Sequence, residues 1–334
     1  MSTLIVLALV GGLCAGIGTG WVRRYAVARD LIDHPNARGS HVVATPRGGG
    51  LALAVVLIVG TGVAAALDLV SVALAWAMLA GGGAVAGVGF LDDHREVPAR
   101  WRLLAYTLAS GVAVLAIGHV QALALPGGAL PLAWAGAPLT LIAGVSLINI
   151  YNFMDGIDGL ACSELVCVCF GLLALSGLGG PLAALVLLGS AAGLGFLAWN
   201  WPPARIFLGD VGSGFLGFFI AVVLLGGVLA EAWSFWAGLL LLGVFFVDAS
   251  VTLATRAMRG DRVGEAHRTH AFQHFAQRFG HLRVTASVCL VNLCWLLPAA
   301  LLAESRPAWG LPILLVSWAP LLAAALWVGA GRPR

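Results

Sequence analysis

The 334-residue sequence predicts an all-α, polytopic membrane protein with about eleven transmembrane helices. Three observations lead there. Hydrophobic residues make up 60% of the chain and charged residues 10%, a balance that does not suit a soluble fold of this length. Apolar runs of about 18 to 22 residues recur from end to end, each long enough to cross a hydrocarbon core roughly 30 Å thick as a helix. The basic residues are all arginine, and they gather on alternate loops.

In chain order the expected spans are 3–22, 48–67, 70–91, 103–120, 132–150, 160–178, 182–201, 211–230, 233–255, 284–303 and 310–329. They are apolar on every face, which excludes a transmembrane barrel with its alternating pattern. The first span is not a secretory signal, because no basic side chain precedes it and Arg23 and Arg24 follow it. It is a retained helix with the N-terminus outside. Eleven crossings then put loops 23–47, 92–102, 151–159, 202–210 and 256–283 and the C-terminal tail inside. Seventeen of the eighteen arginines fall in these segments or at their edges, and Arg306 alone lies outside them, as cytoplasmic enrichment in basic residues requires. No internal repeat or linker divides the chain, so residues 1–334 are expected to form one domain. The six cysteines lie within spans without ligand or disulfide spacing and read as small buried hydrophobes.

Acids, amides and histidines concentrate on the same inner loops. In "FLDDHREVPARWR", Asp92 and Asp93 end the third span and Glu96 follows. Such acids form either a solvated rim among Arg95, Arg100 and Arg102 or a partly desolvated pair that binds a divalent cation or removes a proton. In "NIYNFMDGIDGLA", Asn149, Asn152, Asp155 and Asp158 recur at three-residue steps, which on a helix would sweep them across about half a turn and show all four to one cavity. Gly156 and Gly159 would let that helix open.

In "NWPPARIFLGDVGSGFLG", Asp210 opens a span among glycines. An acid there can simply meet the helix dipole, or it can hold Mg²⁺ where small residues let backbone amides approach a phosphate. The longest polar segment contains His267, Arg268, His270 and His274, spaced so that a helix would place the three histidines on one face. A grip on pyrophosphate, a zinc site and a basic membrane-surface helix are the three readings of that face. In the first inner loop, Arg38, His41 and Arg47 flank a Thr-Pro and a triple glycine.

Together "TPRGGG", "LDDHRE", "NFMDGIDGLA", "FLGDVGSG" and "HRTHAFQH", in this order between about residues 33 and 281, resemble the polyprenyl-phosphate N-acetylhexosamine-1-phosphate transferase family. That family includes the phospho-N-acetylmuramoyl-pentapeptide translocase and the initiators of O-antigen synthesis. The resemblance implies catalytic roles for Asp92, Asp93, Asp158 and His270. It implies substrate contacts from Arg47, Asn149, Asn152, Asp155, Gly156, Asn200, Phe207, His267, Arg268 and His274, and a metal held by Asp210 with Asp92. Asn200 and Phe207 match positions that hold and stack on uracil. The chain departs from the translocase branch in having Val43 where a lysine precedes the Thr-Pro motif, and in its spread rather than contiguous histidines.

The resemblance therefore implies an enzyme of the bacterial cytoplasmic membrane, N-terminus periplasmic and C-terminus cytoplasmic. It would transfer a sugar 1-phosphate from a UDP-N-acetylhexosamine to undecaprenyl phosphate with Mg²⁺, or Mn²⁺ in its place, and release UMP. The product would start a lipid-linked surface glycan such as O-antigen. The bilayer and the two substrates are the expected partners, nucleic acid is not, and a homodimer is an assembly open to such a chain. The alternatives are the translocase itself and a cation-coupled transporter, which would scatter its acids through mid-span positions.

Overall fold

The computed structural model describes residues 1–34, 43–262 and 267–333. Arg38 and His41, and the part of the histidine loop at 263–266, lie outside the described residues. Among the described residues eight helices are long and apolar enough to cross a membrane: α1 (Ser2–Ala28), α3 (Val72–His94), α4 (Ala99–Ile117), α5 with its 3₁₀ lead-in (Ala133–Met154), α7 (Ala183–Asn200), α8 (Asp210–Leu229), α12 (His281–Ser305) and α13 with its lead-in (Pro307–Val328). Two shorter apolar helices, α2 (Gly50–Ala66) and α6 (Leu160–Ser176), occupy the expected second and sixth spans. At 17 residues each they reach about 25 Å, a little less than a hydrocarbon core.

The ninth expected span is not one helix. It breaks into α9 (Phe235–Leu240) and α10 (Gly243–Met258), with a turn at Leu241 and Leu242 between them. The apolar run hides this break, because the turn uses leucines that suit the surroundings as well as a helix would. The remaining helix, α11 (Ala271–Phe279), lies in the histidine loop. Between α4 and α5 an antiparallel hairpin, Ala122–Leu125 with Gly128–Pro131, turns through Gly127 and Gly128 at φ +96° and +139°. The indole of Trp236 donates to Ala124 O (2.6 Å) and ties the hairpin to α9.

Helix α8 is the axis of the bundle, with four-fifths of its apolar window covered by neighbours. Glycines make this approach possible. A Cβ at Gly217 would lie 2.7 Å from the backbone of Ile148 on α5, and one at Gly89 on α3 would lie 2.5 Å from Asp210 O. Phe215, Phe218 and Phe219 fill the remaining space. On the flank, α1 runs along α7, where Gly12 and Gly195 face each other and Trp199 Nε1 donates to Gly16 O (2.9 Å). Cys162, Cys167 and Cys169 are buried as expected, whereas Cys14 and Cys294 are exposed on the outer faces of their helices.

One expected helix ends early. The polar repeat of residues 149–158 is helical only to Met154, and α6 starts at Leu160 after Gly159 adopts φ +74°. Asn149 and Asn152 are therefore on α5, while Asp155 and Asp158 are in the loop that follows.

Candidate active site

At the ends of α3, α5, α7 and α8 that carry the acids, a polar cavity of about 280 Å³ is lined by Asp33, Arg47, Asp93, Asn152, Asp155, Gly156, Asp158, Asn200, Phe207, Asp210, Ser213, Gln273 and His281 among others. One wall begins with the adjacent acids that close α3. They diverge because neighbours on a helix face different ways. Asp93 is buried, and its two carboxylate oxygens accept from the N–H groups of Asp210 (3.0 Å) and Val211 (3.1 Å). It thus caps α8 from another helix, satisfying amides that the start of a helix leaves without partners. Gly209 makes room: it takes φ +77°, and a Cβ there would lie 2.7 Å from Asp93 Oδ2.

The segment around Arg47 completes this wall. Its backbone pairs Ile32–Asp33 with Thr45–Pro46, and Phe207 N donates to Pro46 O (2.8 Å) while Gly49 N donates to Phe207 O (2.9 Å). The backbones of Arg47 and Phe207 are therefore held close together, and both residues line the cavity. Arg47 Nη2 also donates to Asp93 O (2.6 Å).

Asp92 faces away from the cavity lining. Its Oδ1 accepts from Val97 N (2.7 Å) and its Oδ2 is ion-paired with Arg102, which also comes within 4.0 Å of Asp210 Oδ1. Asp210 in turn accepts from the amide of Asn152, which also donates to Ser213 Oγ (3.0 Å). Asp93, not Asp92, is the member of the pair that reaches the cavity.

The loop between α5 and α6 also lines the cavity. Asp158 Oδ2 accepts from Ala204 N (3.0 Å), its Oδ1 lies 3.2 Å from His281 Nδ1, and its carbonyl accepts from Thr285 Oγ1 (2.9 Å). Asn200 is buried and bridges two loops, accepting from Gly159 N (3.1 Å) and donating to Ile206 O (2.9 Å). Asp155 lies at the base of this loop. Burial first, then the like charges of Asp210, Asp93 and Asp158, pushes its proton affinity well above the ordinary carboxylate range. A carboxylate so placed gains most from a cation.

The histidine segment is arranged differently from a single helical face. α11 begins at Ala271, so His267 and His270 precede it and only His274 is helical. His270 lies at the N-cap, its Nδ1 3.0 Å from Oδ1 of the buried Asp248. Asp248 also accepts from Ala271 N (2.9 Å), Phe272 N (2.8 Å) and Thr252 Oγ1 (3.1 Å). His267 stacks on His270 with centroids 4.9 Å apart, and burial together with the neighbouring His270 and Arg256 lowers its pKa to about 4. It is neutral at ordinary pH, not part of a cationic grip. His267, Arg268, His270 and His274 do not line the cavity; Gln273 represents their segment there. Asn149 is also absent from the lining, since its amide donates one turn back to Val145 O (2.8 Å).

Asp33, Ser213, Gln273 and His281 in the lining, and Asp248 behind it, were not singled out from the sequence. Asp248 had a signal: Asp248, Thr252 and Arg256 recur every four residues on a mostly apolar run and are all buried. Among the described residues no three histidine, cysteine or acidic side chains are grouped to hold a metal ion by themselves. The cavity does offer hard carboxylate oxygens from Asp155 and Asp210. Mg²⁺ takes one or two carboxylates and fills its remaining positions with phosphate and water, so these residues fit that ion.

The glycosyl transferase family 4 profile matches residues 75–228, from within α3 to the end of α8. The chain is 28% identical over 322 residues to a Bacillus subtilis protein named probable undecaprenyl-phosphate N-acetylglucosaminyl 1-phosphate transferase, covering 92% of this chain and 87% of that one. It is 34% identical to the decaprenyl-phosphate N-acetylglucosaminephosphotransferase of Mycolicibacterium smegmatis, over 63% of this chain and 57% of the relative. Identity is also 34% to the phospho-N-acetylmuramoyl-pentapeptide-transferase of a Synechococcus strain, over 68% of each chain. With that coverage, and with the profile spanning the segments that carry Asp93, Asn152, Asp155, Asn200 and Asp210, the chain belongs to glycosyl transferase family 4.

Proposed function

We propose that this protein transfers an N-acetylhexosamine 1-phosphate from a UDP-sugar to undecaprenyl phosphate, releasing UMP. The observation that carries the reading is the convergence of Asp93, Asp155 and Asp210 with Arg47 and Phe207 in one cavity at the ends of apolar helices. A lipid phosphate and a water-soluble nucleotide can meet only at such a boundary. Relatives named for this transfer to polyprenyl phosphates support it.

If α2, α6 and the α9–α10 pair cross along with the eight long helices, eleven crossings with the N-terminus outside bring this end of the bundle, where the arginines gather, to the cytoplasmic side. The inner membrane of a bacterium is the corresponding location, and O-antigen is one glycan that the product could start.

Bound Mg²⁺ would be held by Asp210 and Asp155 and would draw negative charge from the donor pyrophosphate, the main demand of phosphoryl transfer. Arg47 adds a fixed positive charge beside it, and Phe207 offers a stacking face to the base. Asn152 keeps Asp210 oriented. Both acids that close α3 already have partners on each oxygen: Asp93 holds the start of α8, and Asp92 holds Val97 and Arg102. This favours direct attack by the lipid phosphate, already ionised, over an aspartyl-phosphate intermediate. UMP released in enzyme-stoichiometric amounts without lipid would overturn that route.

The test of the activity is UMP release by the purified protein with Mg²⁺, undecaprenyl phosphate and a panel of UDP-sugars. No release from any donor defeats the proposal. The similarity to the Synechococcus enzyme gives a second reading, and UDP-N-acetylmuramoyl-pentapeptide belongs in the panel for that reason.

A further inference from the structure

The end of α11 that faces the cavity is built so that it cannot itself bind an anion. Its first two amides, Ala271 N and Phe272 N, are taken by the two oxygens of Asp248. The preceding amide, His270 N, donates to Gln273 Oε1 (3.1 Å). That last bond fixes the side chain of Gln273. With its oxygen bonded into the helix cap, the carboxamide has its Nε2 hydrogens to offer. Gln273 is buried and lines the cavity, and its Nε2 lies 3.1 Å from where a Cβ on Gly156 would stand. The absence of that Cβ keeps the donor in reach of the space beside Asp155.

We infer that Gln273 is a specificity-determining residue that donates from Nε2 to a neutral oxygen of the sugar part of the donor, an acetamido carbonyl or a hydroxyl. The inference rests on the proposed transferase reading and extends it. Elsewhere in the lining Arg47 and Phe207 supply the charge and the aromatic face suited to phosphate and base. With Arg47 in the lining to meet the phosphate charge, the uncharged carboxamide is left for a neutral acceptor, and comparison of UMP and UDP with the sugar nucleotide separates the two. A site that commits a buried donor to one oxygen discriminates strongly against a ligand lacking it, because the donor is then left without a partner.

The test is equilibrium binding of UMP, UDP and a UDP-N-acetylhexosamine to wild type and Gln273→Glu. Glutamate is the customary residue of such a cap, so it keeps the bond to His270 N while replacing the donor by an acceptor. The expected result is affinity for the sugar nucleotide falling by about tenfold or more, with UMP and UDP each held within about twofold. Equal affinity of both proteins for the sugar nucleotide would overturn the inference. A parallel loss for UMP or UDP would also overturn it, whether through misfolding, general repulsion or contact with phosphate. Binding is read without turnover, so failure here is distinct from a wild-type protein that releases no UMP.

Discussion

Asp155 combines a functional demand with a cost in stability. Its proton affinity is raised in the folded chain, by burial first and then by Asp210, Asp93 and Asp158. The native state therefore holds this proton more tightly than the unfolded chain does. The associated stability is fully present below the ordinary carboxylate pKa of about 4 and is lost as pH rises through the folded value. Replacing Asp155 with asparagine removes the charge that becomes unfavourable at high pH. In detergent, Asp155→Asn is expected to melt above the wild type at pH 8, with the difference shrinking at pH 5, and to lose turnover. Equal melting curves at both pH values would show that burial and like charge do not load this residue. Asp210→Asn tests a different point: the cap of α8 stays in place, since Asp93 supplies it, while a metal-ligand oxygen is lost. A fall in kcat of about 100-fold or more with little change in melting is expected, and near-wild-type turnover would remove Asp210 from the chemistry.

At the scale of elements, the entry of α8 depends on a contact that sequence patterns do not carry. The glycines of "FLGDVGSG" advertise close packing, and Asp210 at a helix start suggests a local cap. The actual cap is Asp93, brought from α3 by the fold. The acids of "NIYNFMDGIDGLA" were legible as site residues, but the helix that ends at Met154 was not, because two amides, two acids and two glycines satisfy either a helix face or a loop. Gly209 is where this arrangement can be probed. Its φ of +77° disfavours any other residue, and an added methyl would meet both carboxylate oxygens of Asp93, at 2.7 and 2.8 Å. Gly209→Ala should cost about 1 to 3 kcal/mol from backbone strain alone and displace the start of α8. Reduced melting temperature together with at least a tenfold loss of turnover is expected. An alanine variant with unchanged stability would mean that the loop can move aside without cost.

For the whole molecule, composition was sufficient to place the apolar helices, since each apolar run corresponds to a helix or, at 235–258, to a broken pair. What composition could not give is how the ends meet. Asp33 follows the first helix and His281 begins the twelfth, yet both line one cavity, and no local spacing encodes that encounter. The hydrophobic signal reports transfer into the bilayer, which depends on each segment alone, whereas packing depends on glycines and capping pairs distant in sequence. The proposed orientation rests on arginine placement and carries its own test. In a cysteine-free background, Ala129→Cys lies on the exposed hairpin between α4 and α5, and Arg259→Cys just beyond α10. Five crossings separate them if the α9–α10 pair spans as one unit, so they belong on opposite sides. An impermeant maleimide added to intact cells should label Ala129→Cys, and should reach Arg259→Cys only after permeabilisation. Labelling of both from outside would reduce the number of crossings between them to an even one. The reverse pattern would put the acid-lined cavity on the outer face, away from any cytoplasmic nucleotide.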